Sequence, residues 1–196
     1  MITLYTAATS NGLRPAIMLA ESGLSHIVKK IDLEKGEQRT PEFLAMNPAA
    51  RIPVIVDDDA GGEKLVLTES LAIVIHVAEK SGVGLPTQPK ARAHVFEAAA
   101  SAMTDVYGPF NGLFHLHHGG RTPPSQIAQG FDGLLKDALS RVDAKLASSE
   151  WLAGDFSIAD IVLYPTLGRL ETALKRTYPT LENLQRWPRR WRPGRA

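Results

Sequence analysis

Ala50-Arg51-Ile52-Pro53-Val54-Ile55-Val56, followed by Thr68-Glu69-Ser70, decides how the first part of this chain folds. Ile52 to Val56 is β-prone with a proline near its start. A proline there lacks the ladder N–H, so it belongs at a sheet edge or beside a ligand. Lys64 to Leu67 is a second β-prone run. Asp57 to Gly62 lies between them and is rich in turn formers, so the two runs make a β-hairpin. Glu69-Ser70 then opens an apolar helix, Leu71 to Lys80, ended by Gly82, with Ser70 placed as its N-cap.

Toward the N-terminus, Met1 to Thr6 alternates as a strand does, and Thr9-Ser10-Asn11-Gly12 is a turn. A helix follows to Ser22, with apolar Leu13, Ala16, Ile17 and Ala20 at helical spacing and Gly23 as its stop. Pro15 falls in the first turn, where a missing N–H costs little. His26 to Asp32 is a second strand, so strand, helix and strand form a βαβ unit with parallel pairing and a right-handed crossover. Glu34 to Arg39 is a polar loop. Thr40 and Pro41 suit the N-cap and first position of a short helix that Asn47-Pro48 ends.

Toward the C-terminus, Gly84 to Lys90, with Pro86 and Pro89, reads as a linker. Beyond it the pattern is helical, with long helices expected over 91–104, 131–147 and 158–173 and no strands. The expected organisation is an α/β domain over 1–83, a linker over 84–90 and an all-α domain over 91–196. Its tail, 187–196, is expected to be irregular, because Pro188 and Pro193 cannot continue a helix.

The 196 residues are 44% hydrophobic, 22% charged and 7% aromatic, ordinary for a soluble chain with a real core. A net charge of +1 gives no global field for nucleic acid or an acidic membrane. The start has no basic, apolar leader pattern, so no signal peptide is expected, and no apolar run approaches the ~18 residues of a membrane span. Cysteine is absent. That excludes disulfides, thiolate metal sites and a protein-thiol nucleophile, and it fits a reducing compartment.

Three features carry chemistry. If Ile52-Pro53 is cis, the Ile52 backbone turns outward to pair with an extended, peptide-like ligand; if trans, Pro53 is a plain edge-strand residue. Glu69-Ser70 is either a simple cap or, with the free N–H groups of a helix start, a cradle for the zwitterionic head of an amino acid. Thr9-Ser10-Asn11-Gly12 stands at the tip of the first strand, where ligands of open α/β sheets gather, and its hydroxyls and amide can favour a bound thiolate.

Taken together, the order and spacing of these features resemble the glutathione transferase superfamily. The resemblance reaches to about Leu184 and includes Pro41-Glu42-Phe43, Asn47-Pro48, Arg51-Ile52-Pro53-Val54, Thr68-Glu69-Ser70, Trp151-Leu152-Ala153-Gly154-Asp155 and Ser157-Ile158-Ala159-Asp160. The Thr9–Gly12 turn and Gln38 look most like the bacterial Nu-type branch, whose members are glutathione-dependent disulfide reductases as well as transferases. The resemblance implies a thioredoxin-like first domain and a helical-bundle second domain. It implies glutathione as co-substrate, no metal, and a small electrophile or disulfide as the second substrate. A cytoplasmic homodimer acting in detoxification, with no nucleic-acid or membrane partner, is its usual setting. By the same resemblance Asn11, Ser10 and Thr9 would stabilise the glutathione sulfur, with Asn11 ahead of Ser10. Ile52, preceding Pro53, would pair with the cysteinyl part, Glu69 and Ser70 would hold the γ-glutamyl end, and Gln38 and Arg51 would reach the glycyl end. The alternatives are a non-catalytic binding or regulatory module of the same fold, and a glutathione-dependent isomerase or dehalogenase.

Other motifs have plainer readings. Ser157-Ile158-Ala159-Asp160 reads as a capping box, with Phe156 and Ile161 as its hydrophobic staple. His115, His117 and His118 do not share one helix face, and no carboxylate accompanies them, so a metal is not expected there. With Tyr107, Phe110 and Phe114 they are expected to border a second-substrate pocket between the two domains. The arginine-rich end departs from the regular final helix usual in the family.

Overall fold

The structure, a computed structural model, describes residues 1–118 and 125–190. The chain divides into two compact units, 1–85 and, among the described residues, 86–190. In the first unit, β1 (Ile2–Thr6) leads through α1 (Ser10–Ser22) to β2 (His26–Lys30), and a short 3-10 turn (Glu37–Arg39) precedes α2 (Pro41–Met46). The hairpin β3 (Val54–Ala60) and β4 (Glu63–Thr68) then feeds α3 (Ser70–Ser81). The sheet order is β2-β1-β3-β4, with β1 parallel to β2 and antiparallel to β3. The expected βαβ unit and hairpin are therefore both present. Ile2, Leu4, Val54 and Ile55 from the sheet, Met18 and Leu19 from α1, and Ile73, Val74 and Val77 from α3 form its core.

Caps and close contacts fix the helix starts. Thr9 caps α1, its hydroxyl oxygen accepting from Gly12 N–H at 3.0 Å, and Thr40 caps α2 with Pro41 in the first turn. The first turn of α1 lies so close to the end of β1 that a Cβ on Gly12 would stand 2.1 Å from the Ala7 carbonyl oxygen and 2.5 Å from Thr6 Oγ1. Only glycine fits there. The α1 face differs from the sequence expectation. Leu13 is exposed and Ala20 lies at the surface, whereas Arg14, Pro15, Met18 and Leu19 are buried. The apolar spacing missed this because one inward position is an arginine, whose charge is bonded inside rather than hydrated.

β3 also runs further than expected, so Asp57 is a strand residue and not part of the turn. Its carboxylate is fully buried and accepts from Lys80 Nζ at 2.9 and 2.8 Å and from the Asp59 N–H at 3.2 Å. His76 Nε2 lies 2.8 Å from it. Burial alone would raise the Asp57 pKa. The hydrogen bonds of Lys80 and His76, then that of the Asp59 N–H and the Lys80 charge, outweigh it and leave the pKa below the ordinary 3.8. The contacts pin the C-terminal half of α3 to the sheet.

In the second unit α4 (Pro89–Ser101) starts inside the expected linker, capped by Gln88. Instead of ending near residue 104, the helical path continues through a π-helical turn (Ala102–Tyr107) into α5 (Gly108–His118). α6 (Ser125–Ser148), α7 (Ile158–Leu174) and α8 (Glu182–Arg190) complete it. α8 carries Pro188 within its span, so the irregular tail expected from 187 is helical through 190; residues 191–196 lie outside the described residues. Buried Asp160 returns the hydrogen bond expected of a capping box. Its Oδ2 accepts from Ser157 N–H at 3.0 Å and Ser157 Oγ at 3.2 Å, while Oδ1 accepts from Leu152 N–H at 3.1 Å. Burial drives its pKa up to about 6, against these bonds.

Two predictions follow from these buried carboxylates. Lys80→Met leaves Asp57 short of its main counter-charge and should lower stability by about 3 kcal/mol in urea denaturation, since breaking a buried pair strands a charge. Asp57 is held below its unfolded pKa, so its contribution is present above 3.8 and is lost as pH falls through the lowered value. Asp160 has the opposite sign. Between 3.8 and about 6 the folded state holds the extra proton, so this group's contribution to stability falls as pH rises through that window. Asp160→Asn should flatten that slope and cost about 1–3 kcal/mol, because one amide oxygen cannot serve all three donors.

Candidate functional site

The site is set by the strand register. Tyr5 pairs with Val54, and Val54 pairs with Thr68. The turn after β1, the segment before β3 and the turn after β4 therefore open at one end of the sheet, where α1 and α3 both begin. Thr9, Ser10, Asn11, Ile52, Pro53, Glu69 and Ser70 all belong to these three segments.

The Ile52–Pro53 bond is cis. β3 starts only at Val54, so Ile52 lies beyond the ladder, and its backbone is not enrolled in strand pairing. The segment is shaped by Asn47, a buried residue that the sequence reading used only as a helix stop. Its Nδ2 donates to the Arg51 carbonyl at 2.7 Å, and its Oδ1 accepts from Ala49 N–H at 3.1 Å. Ala50 between them has φ 53°. Asn47 is thus a scaffold for Arg51-Ile52-Pro53 as well as a stop, holding the loop through bonds two and four residues along the chain.

Ser70 is not the N-cap of α3 but its first residue. The cap position is Glu69, which holds φ 67°, in the range that favours glycine, and makes no side-chain capping bond. The Ser70 hydroxyl is turned instead into the domain, where it is buried. It donates to Asn11 Oδ1 at 3.4 Å and accepts from Arg14 Nη1 at 3.4 Å. Arg14 Nη1 also donates to Asn11 Oδ1. Arg14 was not among the expected site residues. Its one sequence signal is a charge inside the first turns of a helix that otherwise reads as amphipathic, and such a charge is ordinarily a surface residue.

The expected residues thus divide into groups. Asn11 and Ser70 are joined through their side chains, with Thr9 and Ser10 on the same turn and Glu69 exposed beside Ser70. Ile52 and Pro53 share the sheet end with them. Gln38 and Arg51 make no bond to this cluster among the described residues. Gln38 Nε2 donates to Leu33 O in its own loop at 3.5 Å, its Oε1 is buried with no hydrogen-bond partner, and Arg51 is exposed. In the second unit, Tyr107, Phe110 and Phe114 form a ladder with ring centroids 6.0 and 6.3 Å apart. His118 stacks on Phe114 at 4.3 Å, and Arg169 of α7 stands over the same ring. Tyr107 donates its hydroxyl to Asn111 Oδ1 at 3.3 Å. His118 Nδ1 donates to the Phe114 carbonyl at 3.0 Å. Among the described residues no three His, Asp or Glu side chains are arranged to hold a metal ion, and no helix is long and apolar enough to cross a membrane.

Known proteins share this fold. Residues 1–79 match the family described as Glutathione S-transferase, N-terminal domain, and residues 125–194 match Glutathione S-transferase, C-terminal domain. The chain is 34% identical over 194 residues to Disulfide-bond oxidoreductase YfcG of Escherichia coli (strain K12), covering 93% of this chain and 87% of that protein. It is 31% identical over 199 residues to Glutathione S-transferase GstB of the same organism, covering 95% and 91%. Among solved structures, a glutathione transferase from Pseudomonas putida with one glutathione disulfide bound per subunit superposes with a TM-score of 0.92 at 29% identity, covering 98% of this chain and 88% of that one. With both domain matches in order and relatives aligned over nearly their whole length, the chain belongs to the glutathione S-transferase family.

Proposed function

We propose that this chain activates the thiol of glutathione at the Asn11 turn and uses the thiolate to reduce small disulfides, with transfer to small electrophiles as its second activity. The observation that carries the reading is the convergence of the α1 start, Ile52 and Glu69-Ser70 on one end of the sheet. That end matches an extended tripeptide in its chemistry. Ile52 offers main-chain pairing for the cysteinyl residue. The α3 start offers N–H groups to the γ-glutamyl carboxylate, and the exposed Glu69 carboxylate accepts from its ammonium. Asn11 Nδ2 donates to the sulfur, with Ser10 and Thr9 beside it and the start of α1 adding positive potential. Thr9 is partly committed, because its oxygen already caps α1. Gln38 and Arg51 are assigned to the glycyl end.

The preference for disulfides is supported by the resemblance to YfcG and to a structure holding glutathione disulfide. The steps balance without a protein thiol. The bound thiolate attacks one sulfur of R–S–S–R′, forming a glutathione–R mixed disulfide and expelling R′S⁻, which takes up a proton. A second glutathione thiolate attacks the glutathione sulfur of that mixed disulfide, releases RS⁻ and yields glutathione disulfide. Two glutathiones supply the two electrons. In the transferase reaction the same thiolate attacks an electrophilic carbon, and the leaving group departs with the bonding pair. Tyr107, Phe110 and Phe114 are assigned to the second substrate, for which the ladder supplies an apolar, aromatic surface. A cytoplasmic homodimer with a role in detoxification completes the proposal, on the family's usual setting.

Asn11→Ala should raise the pKa of the bound glutathione thiol by about one unit, with a tenfold loss of thiolate at pH values well below that pKa and a modest loss of affinity. Ultraviolet titration of the thiolate reads this directly, and an unchanged titration removes Asn11 from the role. Ser70→Ala should act mainly on affinity, weakening glutathione binding about tenfold in calorimetry. Assay of 2-hydroxyethyl disulfide against a standard aryl halide should favour the disulfide. A folded sample that fails to bind glutathione-agarose would overturn the enzymatic reading altogether.

A further inference from the structure

Arg14 has no part in the roles assigned above, yet its side chain is fully buried one helical turn from Asn11. A buried guanidinium is costly unless its N–H groups meet acceptors. Here Nη1 meets the Asn11 carboxamide oxygen and, at 3.4 Å, the Ser70 hydroxyl oxygen.

We propose that Arg14 is a positioning residue that fixes which end of the Asn11 carboxamide faces the ligand, and thereby sets the acidity of the bound glutathione thiol. The inference rests on Asn11 being the thiolate donor. The two ends of a carboxamide are almost alike in shape and opposite in chemistry: Nδ2 donates and Oδ1 accepts. A guanidinium has five donors and no acceptor, so the amide atom against it must be the oxygen. The Ser70 hydroxyl, whose Oγ lies 3.4 Å from the same oxygen, donates to it from a second side. Nδ2 is then the end that turns outward. Without Arg14 the amide is able to rotate, and an oxygen presented to sulfur repels the anion it should stabilise. The same guanidinium ties the first turn of α1 to the first residue of α3. The thiolate donor and the γ-glutamyl cradle are thereby held in one frame. Arginine suits the task better than lysine, because its planar fork holds direction as well as charge.

The experiment titrates the bound thiol by thiolate absorbance in wild type, Asn11→Ala, Arg14→Met, Arg14→Lys and the double variant Asn11→Ala/Arg14→Met. Each variant is first checked for folding by circular dichroism and for binding of S-methylglutathione. Arg14→Met should raise the thiol pKa by about one unit, displace the pH–rate profile to higher pH by the same amount, and lower kcat more than it raises KM for glutathione. A merely structural role would lower activity evenly across pH. Because Arg14 acts through Asn11, the double variant should titrate like Asn11→Ala alone. Arg14→Lys keeps a buried cation and is the fallback should Arg14→Met not fold; lacking the fork, it should lose about threefold in thiolate fraction at neutral pH. The proposal is overturned if Asn11→Ala is shifted while a folded Arg14 variant titrates as wild type, or if the two shifts add in the double variant. A wild-type titration for Asn11→Ala itself overturns the thiolate reading and this inference with it.

Discussion

The pairing of Val54 with Tyr5 on one side and Thr68 on the other is the constraint on which the site depends. Side chains alternate along a strand, so a slip of one residue in either pairing would move every side chain of the slipped strand to the opposite face of the sheet. Val54 and Ile55, each fully buried on its own face, would exchange packing environments. The same slip would carry Ile52 and Glu69 away from the turn that holds Asn11. Core packing and the convergence of Asn11, Ile52 and Glu69 are thus fixed by the same hydrogen-bond ladder. Asp57 reinforces it from below: anchored to Lys80 and His76, it prevents α3 from sliding along the sheet, so the burial of one end of the helix determines where the other end opens.

Much of this was legible from the residues because the signals are local. The turn at Thr9–Gly12, Thr40-Pro41, the hairpin and Gly82 follow from backbone chemistry within a few residues. The capping box at Ser157 and Asp160 belongs with them, and its geometry is that of a fold determinant. Arg51-Ile52-Pro53 announced a special backbone without saying which isomer it takes, since sequence spacing cannot distinguish cis from trans. Most of what sequence reading missed is non-local. Arg14, Asn47 and Asp57 are polar residues that pattern logic sends to the surface, and each is buried: Arg14 and Asp57 meet distant partners in Ser70 and Lys80, whereas Asn47 bonds its own following turn. Arg14 and Asp57 depart from the local rule where the fold needs a bond between separate elements.

The second unit illustrates the other limit. Pro188 lies within α8 although proline is a poor helix residue, because the rule against it is a free-energy cost and not a prohibition. Trp187, immediately before it, is almost fully buried and stands 6.1 Å from Tyr164 of α7, centroid to centroid. The π-helical turn over Ala102–Tyr107 was equally invisible, since a π turn differs from an α turn by a single residue of hydrogen-bond spacing.

Glu69 shows a cost of a different kind. Its backbone sits where a glycine would be at ease, and a non-glycine residue there gives up roughly 1 kcal/mol or more. Its side chain makes no compensating cap and stands exposed. Folding alone therefore favours a different residue at this position. On the role proposed for it at the γ-glutamyl end, the glutamate is a concession of stability to recognition, and the start of α3 is then a place where robustness and ligand binding pull in opposite directions.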